Sequence, residues 1–510
     1  MFLKKVFLGV SLALTCVLGG FMLYQEQRCV MAVAMLNEQE TAKICEQRRE
    51  ENIEYELYFE GMTLPVYAEG EERAYLISQT ADDWRGDIEV SGEYQIAFSD
   101  KEKFPELDEC IQNAQALEYI VYNDESYQKG RIYVTGLPVM LLEDEAEQTE
   151  AERTYGNMVL FNTAKERGDY KTVSRCEYHV RGSASRVYYK QGYKLNLLDT
   201  GGNSNKQQLL DLRKDDDWIL RAMGLDESKI REQLATEIWN AINSFGTYQG
   251  RYIELFQDGA YRGLYLLHEP MDFKTVGLDT EKHFLVQVKT WPDDSDFWSD
   301  VERWGGMKSL QCGEFIVDRK NENDLDEVYE VLKAYREFMD GREPESVLNL
   351  NFDLEGLYKM DIFLMLITGV DNSAKNQYMI FTRETDGSYT VQKLPWDMDA
   401  SFGQNLDYCV YEGFDSLYTG DQTVERLMEV WPEETVKGLK ETYMQLRSTV
   451  LTEEYLQELI EQLYGTLEYN RVLERENATW DKAIGREQTE FVKAFVERRL
   501  QWMDSYYCGL

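Results

Sequence analysis

The sequence predicts an α+β chain whose body falls into two lobes, preceded by a β-rich N-terminal region and one N-terminal membrane helix. Three observations predict it. From Tyr55 to about Met140, aromatic and β-branched residues alternate with polar ones, the period of a strand, and strands resume at MVLFNT, EYHV and YKLNLL. From about Asp324 to the end, long amphipathic patterns of helical period dominate. No repeat of solenoid length interrupts either half. With 43% hydrophobic and 13% aromatic residues the chain can fill a sizeable core, which excludes a disordered acidic tail and a low-complexity fibre.

In chain order, Lys4 and Lys5 precede VFLGVSLALTCVLGGFMLY, Val6 to Tyr24, 19 residues without a charge. As a helix this run reaches about 28 Å, enough to cross a bilayer core. Residues 1–24 therefore read as an uncleaved membrane anchor or a cleaved signal peptide. The small-x-small site at Ala32 to Ala34 lies beyond Glu26 and Arg28, which favours the anchor. The lysines keep that end cytoplasmic and place the body outside. Residues 25–54, with EQRREENIE, read as a charged stalk. Residues 55–136 form the β-rich region through YELYF, AYLIS, GEYQIAF and RIYVT.

Residues 137–273 make the first lobe. LPVMLL, MVLFNT, EYHV and YKLNLL supply strands, Glu143 to Arg153 is an acidic connector, and RGSASR lies between the last two strands. Ser228 is the expected N-cap of a helix through KIREQLATEIWNAI, where Ile230, Leu234 and Ile238 share a face. RYIELF and GLYLLHE flank Asp258 and Gly259, a tight-hairpin signal. Residues 274–510 make a helical second lobe through DEVYEVLKAYREFM, LEGLYKMDIFLMLITG, EEYLQELIEQLYGTLEYN and TEFVKAFVERRLQWMDSYY.

Charge and cysteines narrow the function. There are 94 acidic and 54 basic residues, a formal net charge of −40, which repels a phosphate backbone, so nucleic acid is not an expected partner. None of the 8 cysteines forms a C-x-x-C pair, which removes a zinc ribbon. His179, His268 and His283 do not cluster with thiols or carboxylates and read as structural.

The chemistry gathers in two segments of the second lobe. DNSAKN follows an apolar helix, with Asp371 five residues before Asn376. A carboxylate there can orient or deprotonate an acceptor hydroxyl, the amide oxygen can help hold a metal ion on phosphates, and Lys375 can neutralise the phosphoryl group in transit. YMIFTRE and YTVQKL, a hairpin around Asp386 and Gly387, then deliver LPWDMDASFG. Asp397 and Asp399 fall on one face of an extended segment, and a hard divalent cation relieves their repulsion. A glycosidase also needs two carboxylates, but leaves the first-lobe motifs unexplained.

In these motifs the chain resembles the spore coat protein H (CotH) kinase family, an atypical branch of the protein-kinase-like fold. The resemblance runs from about Leu137 to the C-terminus and is carried by LPVMLL, RGSASRVYYKQGYKLNLL, DDWILRAMGLDESKIREQLATEI, IELFQDGAYRGLYLLHEPMD, DNSAKN and PWDMDASFG. It implies a kinase that uses ATP and Mg2+ or Mn2+ to phosphorylate a surface or coat protein. Asp371 would be the catalytic aspartate, Asn376 and Asp397 metal ligands, and Asp399 a second ligand or supporting carboxylate. Arg181, Ser183 and Ser185 would approach the phosphates. Of Lys190 and Lys194, Lys194 is the expected phosphate lysine, with Glu232 or Glu237 as partner, and Glu269 marks the hinge that meets adenine. The contrasting reading is a surface or spore-envelope scaffold with the same fold and no activity.

Overall fold

The computed structural model describes residues 33–59, 61–68, 73–78, 88–99, 106–145, 153–162, 171–182, 186, 188–243, 245–292, 301–303, 309–312, 314–318, 325–342, 349–404, 420–481 and 485–510. The apolar run Val6 to Tyr24 lies outside them, as do Ser183 and Ser185. Among the described residues no helix is long and apolar enough to cross a membrane.

The fold is mixed α+β, with several sheets. Near its start the chain is already part of a sheet. Ala34–Met35 pairs in parallel with Gln95–Phe98, and Arg49–Glu50 pairs with the start of Ser126–Thr135. The segment expected to be a stalk thus supplies two short strands and the helix Glu38–Glu46, capped by Asn37. The seven-stranded N-terminal sheet packs around Tyr119, whose hydroxyl lies 2.7 Å from that of Tyr55. Gly130 faces Tyr119 across the ladder, and a Cβ there would come within 2.2 Å of its hydroxyl oxygen. A short helix, Leu107–Gln112, interrupts the strands of this region.

Next comes a closed seven-stranded barrel in the order Val139–Asp144, Thr154–Phe161, Lys171–Arg181, Gly192–Leu198, Asp217–Arg221, Ala260–His268 and Gly250–Gln257. A parallel pairing of the last strand with the first closes it. Strand alternation explains why VMLL is apolar throughout. Met140 and Leu142 point into the barrel with Trp218 and Leu220, while Val139 and Leu141 join the core of the N-terminal sheet. Asp258 and Gly259 turn the final hairpin with positive φ at both residues, 48° and 72°, as a two-residue loop of mirror-image twist requires.

The helix expected from Ser228 runs Arg231–Ile242, and its first turn is satisfied by Asp226, which accepts from Ser228 N and Arg231 N at 2.9 Å each. Its apolar face meets the nearly all-buried helix Leu354–Ile367. Residues 274–510 are less purely helical than expected, because a seven-stranded sheet runs through them: Val301–Arg303, Ser309–Cys312, Phe315–Asp318, His283–Val288, Gln377–Arg383, Tyr389–Pro395 and Leu350–Phe352. Only Gln377–Arg383 and Tyr389–Pro395 were legible beforehand. The others are short or lack clean alternation.

Helix Val472–Trp480 returns to the barrel and buries two adjacent charges against it. Arg475 makes a bidentate pair with Glu254, at 2.8 and 2.6 Å. Glu476 accepts from Lys190 Nζ at 2.6 Å and Leu264 N at 2.8 Å, with Lys229 Nζ at 3.5 Å. Gly263, at φ 84°, makes room, since a Cβ there would lie 1.9 Å from Glu476 Oε2. Truncating Glu476 strands two buried ammonium groups, whereas the Glu355–Lys359 pair, 2.7 Å apart, has a carboxylate 68% exposed. Glu476→Ala is expected to lower unfolding free energy by about 3–5 kcal/mol, and Glu355→Ala by less than about 1 kcal/mol. Urea denaturation of both measures the contrast. Equal midpoints would contradict the structural weight given to Glu476.

Candidate active site

The site lies where the barrel's outer face meets helices Arg231–Ile242 and Leu354–Ile367. The second of these ends at Thr368, in the left-handed conformation at φ 53°, and the loop 371–376 follows. Asp371 is held on both oxygens, by Lys375 Nζ at 2.8 Å on Oδ1 and Asn376 Nδ2 at 2.6 Å on Oδ2. Burial raises its carboxyl above the ordinary range despite the bonds from Lys375 and Asn376, and the Asp397 charge adds to the rise.

The antiparallel strands Gln377–Arg383 and Tyr389–Pro395, with Gln377 opposite Pro395, bring the loop against the segment that starts at Trp396. Trp396 N donates to Asn376 O at 3.0 Å. Asn372, fully buried, ties the two together: its Nδ2 donates to Asn376 O at 3.1 Å and to Trp396 O at 2.7 Å. Asn376 and Asp397 both have left-handed backbones, φ 51° and 60°. Such conformations cost a non-glycine residue energy and persist where surrounding bonds over-determine them.

The second group converges from three elements. Glu232, on the first turn of helix Arg231–Ile242, is buried and accepts from the Tyr248 hydroxyl. Arg221, the last residue of its barrel strand, lies 3.3 Å from Glu232 through Nη2 and pairs with Asp397 through Nη1. Carboxylate oxygens of Glu232, Asp397 and Asp399 lie within 4.8 Å of one another. Burial pushes Asp397 up, but Arg221, then Arg181 and Lys375, hold it below the usual carboxylate range. Burial, then the Asp397 charge, drives Asp399 well above that range, and burial raises Glu232 against the pull of Arg221. Arg221, Arg181 and Lys375 thus face three carboxylates gathered in a small space. Glu232 Oε2 is buried with no hydrogen-bond partner among the described residues, and every donor here is a hard oxygen, so the set suits Mg2+ or Mn2+.

Arg181 completes the cleft. Its guanidinium lies 5.6 Å from the centre of the Trp396 ring and that of Arg221 5.7 Å. Gly192 faces Arg181 across the ladder, and a Cβ there would stand 3.0 Å from Leu220 O and 3.8 Å from Arg181 Cγ. The missing side chain lets the strand approach the Leu220 carbonyl closely.

Several expected residues stand elsewhere. Lys194 does not meet Glu232 or Glu237; it pairs with Asp217 at 3.0 Å. The register sets this, because Lys194 lies opposite Ile219, two residues back along the strand from Arg221. Arg221 therefore takes the place expected of the lysine. Lys190 is sealed against Glu476, where burial pushes its ammonium down to about 8. Glu237 accepts from Gln233 Nε2 at 2.7 Å on its own helix. Glu269 braces backbone: Oε1 accepts from Arg213 N at 3.1 Å, Oε2 from Gln249 N at 3.3 Å, and its amide donates to Gln249 O. His268 is buried, its Nδ1 2.7 Å from Glu269 O, which occupies that carbonyl too. Arg221 and Asn372 were missed. The signal for Arg221 was a lone cation ending the apolar strand WIL, and for Asn372 there was none beyond its place beside Asp371.

Compared with known families, the chain matches the family model described as CotH kinase protein over residues 178–503, well over half its length. No curated protein matches it.

Asn372→Ala should leave the chain folded but loosen the register between Asn376 and Asp397. Mn2+ affinity, read by electron paramagnetic resonance, is expected to fall about 10–100-fold, the scale for losing an outer-shell partner of a metal site. Unchanged Mn2+ affinity would show that Asn372 only fills space.

Proposed function

The chain belongs to the CotH kinase protein family, and on that premise we propose that it transfers the terminal phosphoryl group of ATP to a protein hydroxyl with a divalent cation. The barrel and the part that follows it serve as the two lobes of an atypical kinase-like fold. The observation that carries the reading is the meeting of the Asp371–Asn376 loop with the Glu232, Asp397 and Asp399 carboxylates around Arg221.

Asp397, Asn376, Asp399 and Glu232 are the residues that would hold Mg2+ or Mn2+. When bound, the cation neutralises charge on the phosphate oxygens. Arg221 and Arg181 face the same cleft and supply further positive charge for those oxygens. Asp371, fixed by Lys375 and Asn376, orients the acceptor hydroxyl and takes its proton as the new oxygen–phosphorus bond forms and the bond to ADP breaks. Lys375 lies beside the transferring group. The acceptor is proposed to be a surface or coat protein, with the enzyme held at a membrane through Val6 to Tyr24.

Asp371→Asn keeps size and hydrogen-bonding reach but removes the base. Transfer from labelled ATP is expected to fall by about two to four orders of magnitude, with ATP affinity and melting temperature nearly unchanged. In the parent enzyme the rate should rise with pH as Asp371 loses its proton, and because burial raises that carboxyl the acid limb should lie above that of an ordinary aspartate. Undiminished transfer by Asp371→Asn removes the aspartate from catalysis.

A further inference from the structure

Strand His283–Val288 ends with Val288 opposite Gln377, the first residue after the loop 371–376. Because the pair is antiparallel, the chain that leaves Val288 runs alongside that loop and soon brings Trp291 to Lys375, whose Nζ stands 5.7 Å from the centre of the indole ring. We propose that Trp291 is a positioning residue for phosphoryl transfer: its ring holds the Lys375 ammonium beside Asp371 and leaves the positive charge available to the phosphoryl group in transit. The role in transfer rests on the kinase reading above; the hold of the ring on Lys375 does not.

A lysine carries its charge on a flexible four-carbon stem, and fixing that stem costs rotamer freedom. Among the described residues two groups fix it here, Asp371 Oδ1 at 2.8 Å and the Trp291 ring. The first does not last through the reaction. Asp371 takes the proton of the acceptor hydroxyl as the hydroxyl oxygen bonds to phosphorus and ADP leaves, so the carboxylate gives up the negative charge that binds Lys375. The attraction of the ring is untouched by that proton. Trp291 therefore keeps the ammonium from swinging into solvent while negative charge gathers on the phosphoryl oxygens.

An aromatic ring suits this task better than an acid. A second carboxylate at the position of Trp291 would neutralise Lys375 and compete with phosphate for its three N–H donors. An indole face attracts the cation through its quadrupole, most strongly among the aromatic side chains, and leaves the charge in place. The setting strengthens the attraction. Trp291 is half-buried, and the Lys375 and Asp371 side chains are 22% and 14% exposed, so the contact is partly withdrawn from water, where a cation held over a ring gains more than at a fully solvated surface.

The test uses the full chain and compares the parent with Trp291→Phe, which keeps an aromatic face, and with Trp291→Leu and Trp291→Met, which keep apolar bulk without one. With labelled ATP, Mg2+ and a serine-peptide library as acceptor, kcat is expected to fall about 3–30-fold in Trp291→Leu and Trp291→Met, the range of a cation–π contact, and to be largely kept in Trp291→Phe. KM for ATP and melting temperature should stay as in the parent. The contact itself is read without turnover, by NMR of protein labelled with carbon-13 at the lysine ε-carbon. The Lys375 ε-methylene resonance, identified by its loss in Lys375→Arg, is expected to be moved upfield by the ring current in the parent and in Trp291→Phe, and to return to the ordinary lysine range in the other two. If Trp291→Leu fails to fold, Trp291→Met gives the answer. An unshifted resonance in the parent overturns the hold of the ring on Lys375. Unchanged kcat in a folded Trp291→Leu or Trp291→Met, or an equal loss in Trp291→Phe, overturns the positioning role and leaves the kinase reading standing. A parent that shows the shift but transfers phosphate to no peptide refutes the kinase reading and the role in transfer together, and leaves only the contact.

Discussion

Arg221 is the constraint on which the site depends. Its guanidinium ends a barrel strand, reaches Glu232 on the following helix and Asp397 on a segment 176 residues further along the chain. Three carboxylates within 4.8 Å of one another are mutually repulsive, and a buried cation between two of them lets the barrel and the helical part close on each other. The same geometry gathers oxygen donors alone, the chemical basis for admitting a hard divalent cation.

Around this pair the backbone is held where it would not rest by itself. Asn376 and Asp397 both adopt left-handed conformations, and each lies next to a carbonyl gripped by Asn372. The loop 371–376 and the acidic segment are therefore tied to each other, and the Gln377–Pro395 ladder sets their spacing. Buried charge repeats as a device at the back of the barrel. Arg475 and Glu476 of one helix lock onto Glu254, Lys190 and Leu264, so the C-terminal part braces the barrel whose strand ends carry Arg181 and Arg221.

The local signals in the sequence were those with a local cause. Asp258 and Gly259 read as a tight hairpin because only a turn of positive φ joins strands of that twist, and both residues adopt it. Helices Leu325–Met339, Leu354–Ile367, Glu453–Tyr469 and Arg486–Gly509 follow their apolar period. Asp371, Asn376, Asp397 and Asp399 were legible because an aspartate and an asparagine five residues apart, then a hairpin and two alternate aspartates, place oxygen donors by chain geometry over short distances. Their motifs also carried the family.

What the sequence by itself determined, then, is the mixed α+β class, the loop and acidic segment of the site, and the family. The choice among cations and their partners was left to tertiary structure. Lys194 and Arg221 both lie on the barrel's outer face, and only strand register decides that Lys194 meets Asp217 while Arg221 reaches Glu232 and Asp397. Lys190 is drawn to Glu476, 286 residues away, and Glu269 to backbone amides from two other segments. Ion pairs between distant segments depend on where three-dimensional packing removes water, and no pattern of neighbouring residues encodes that.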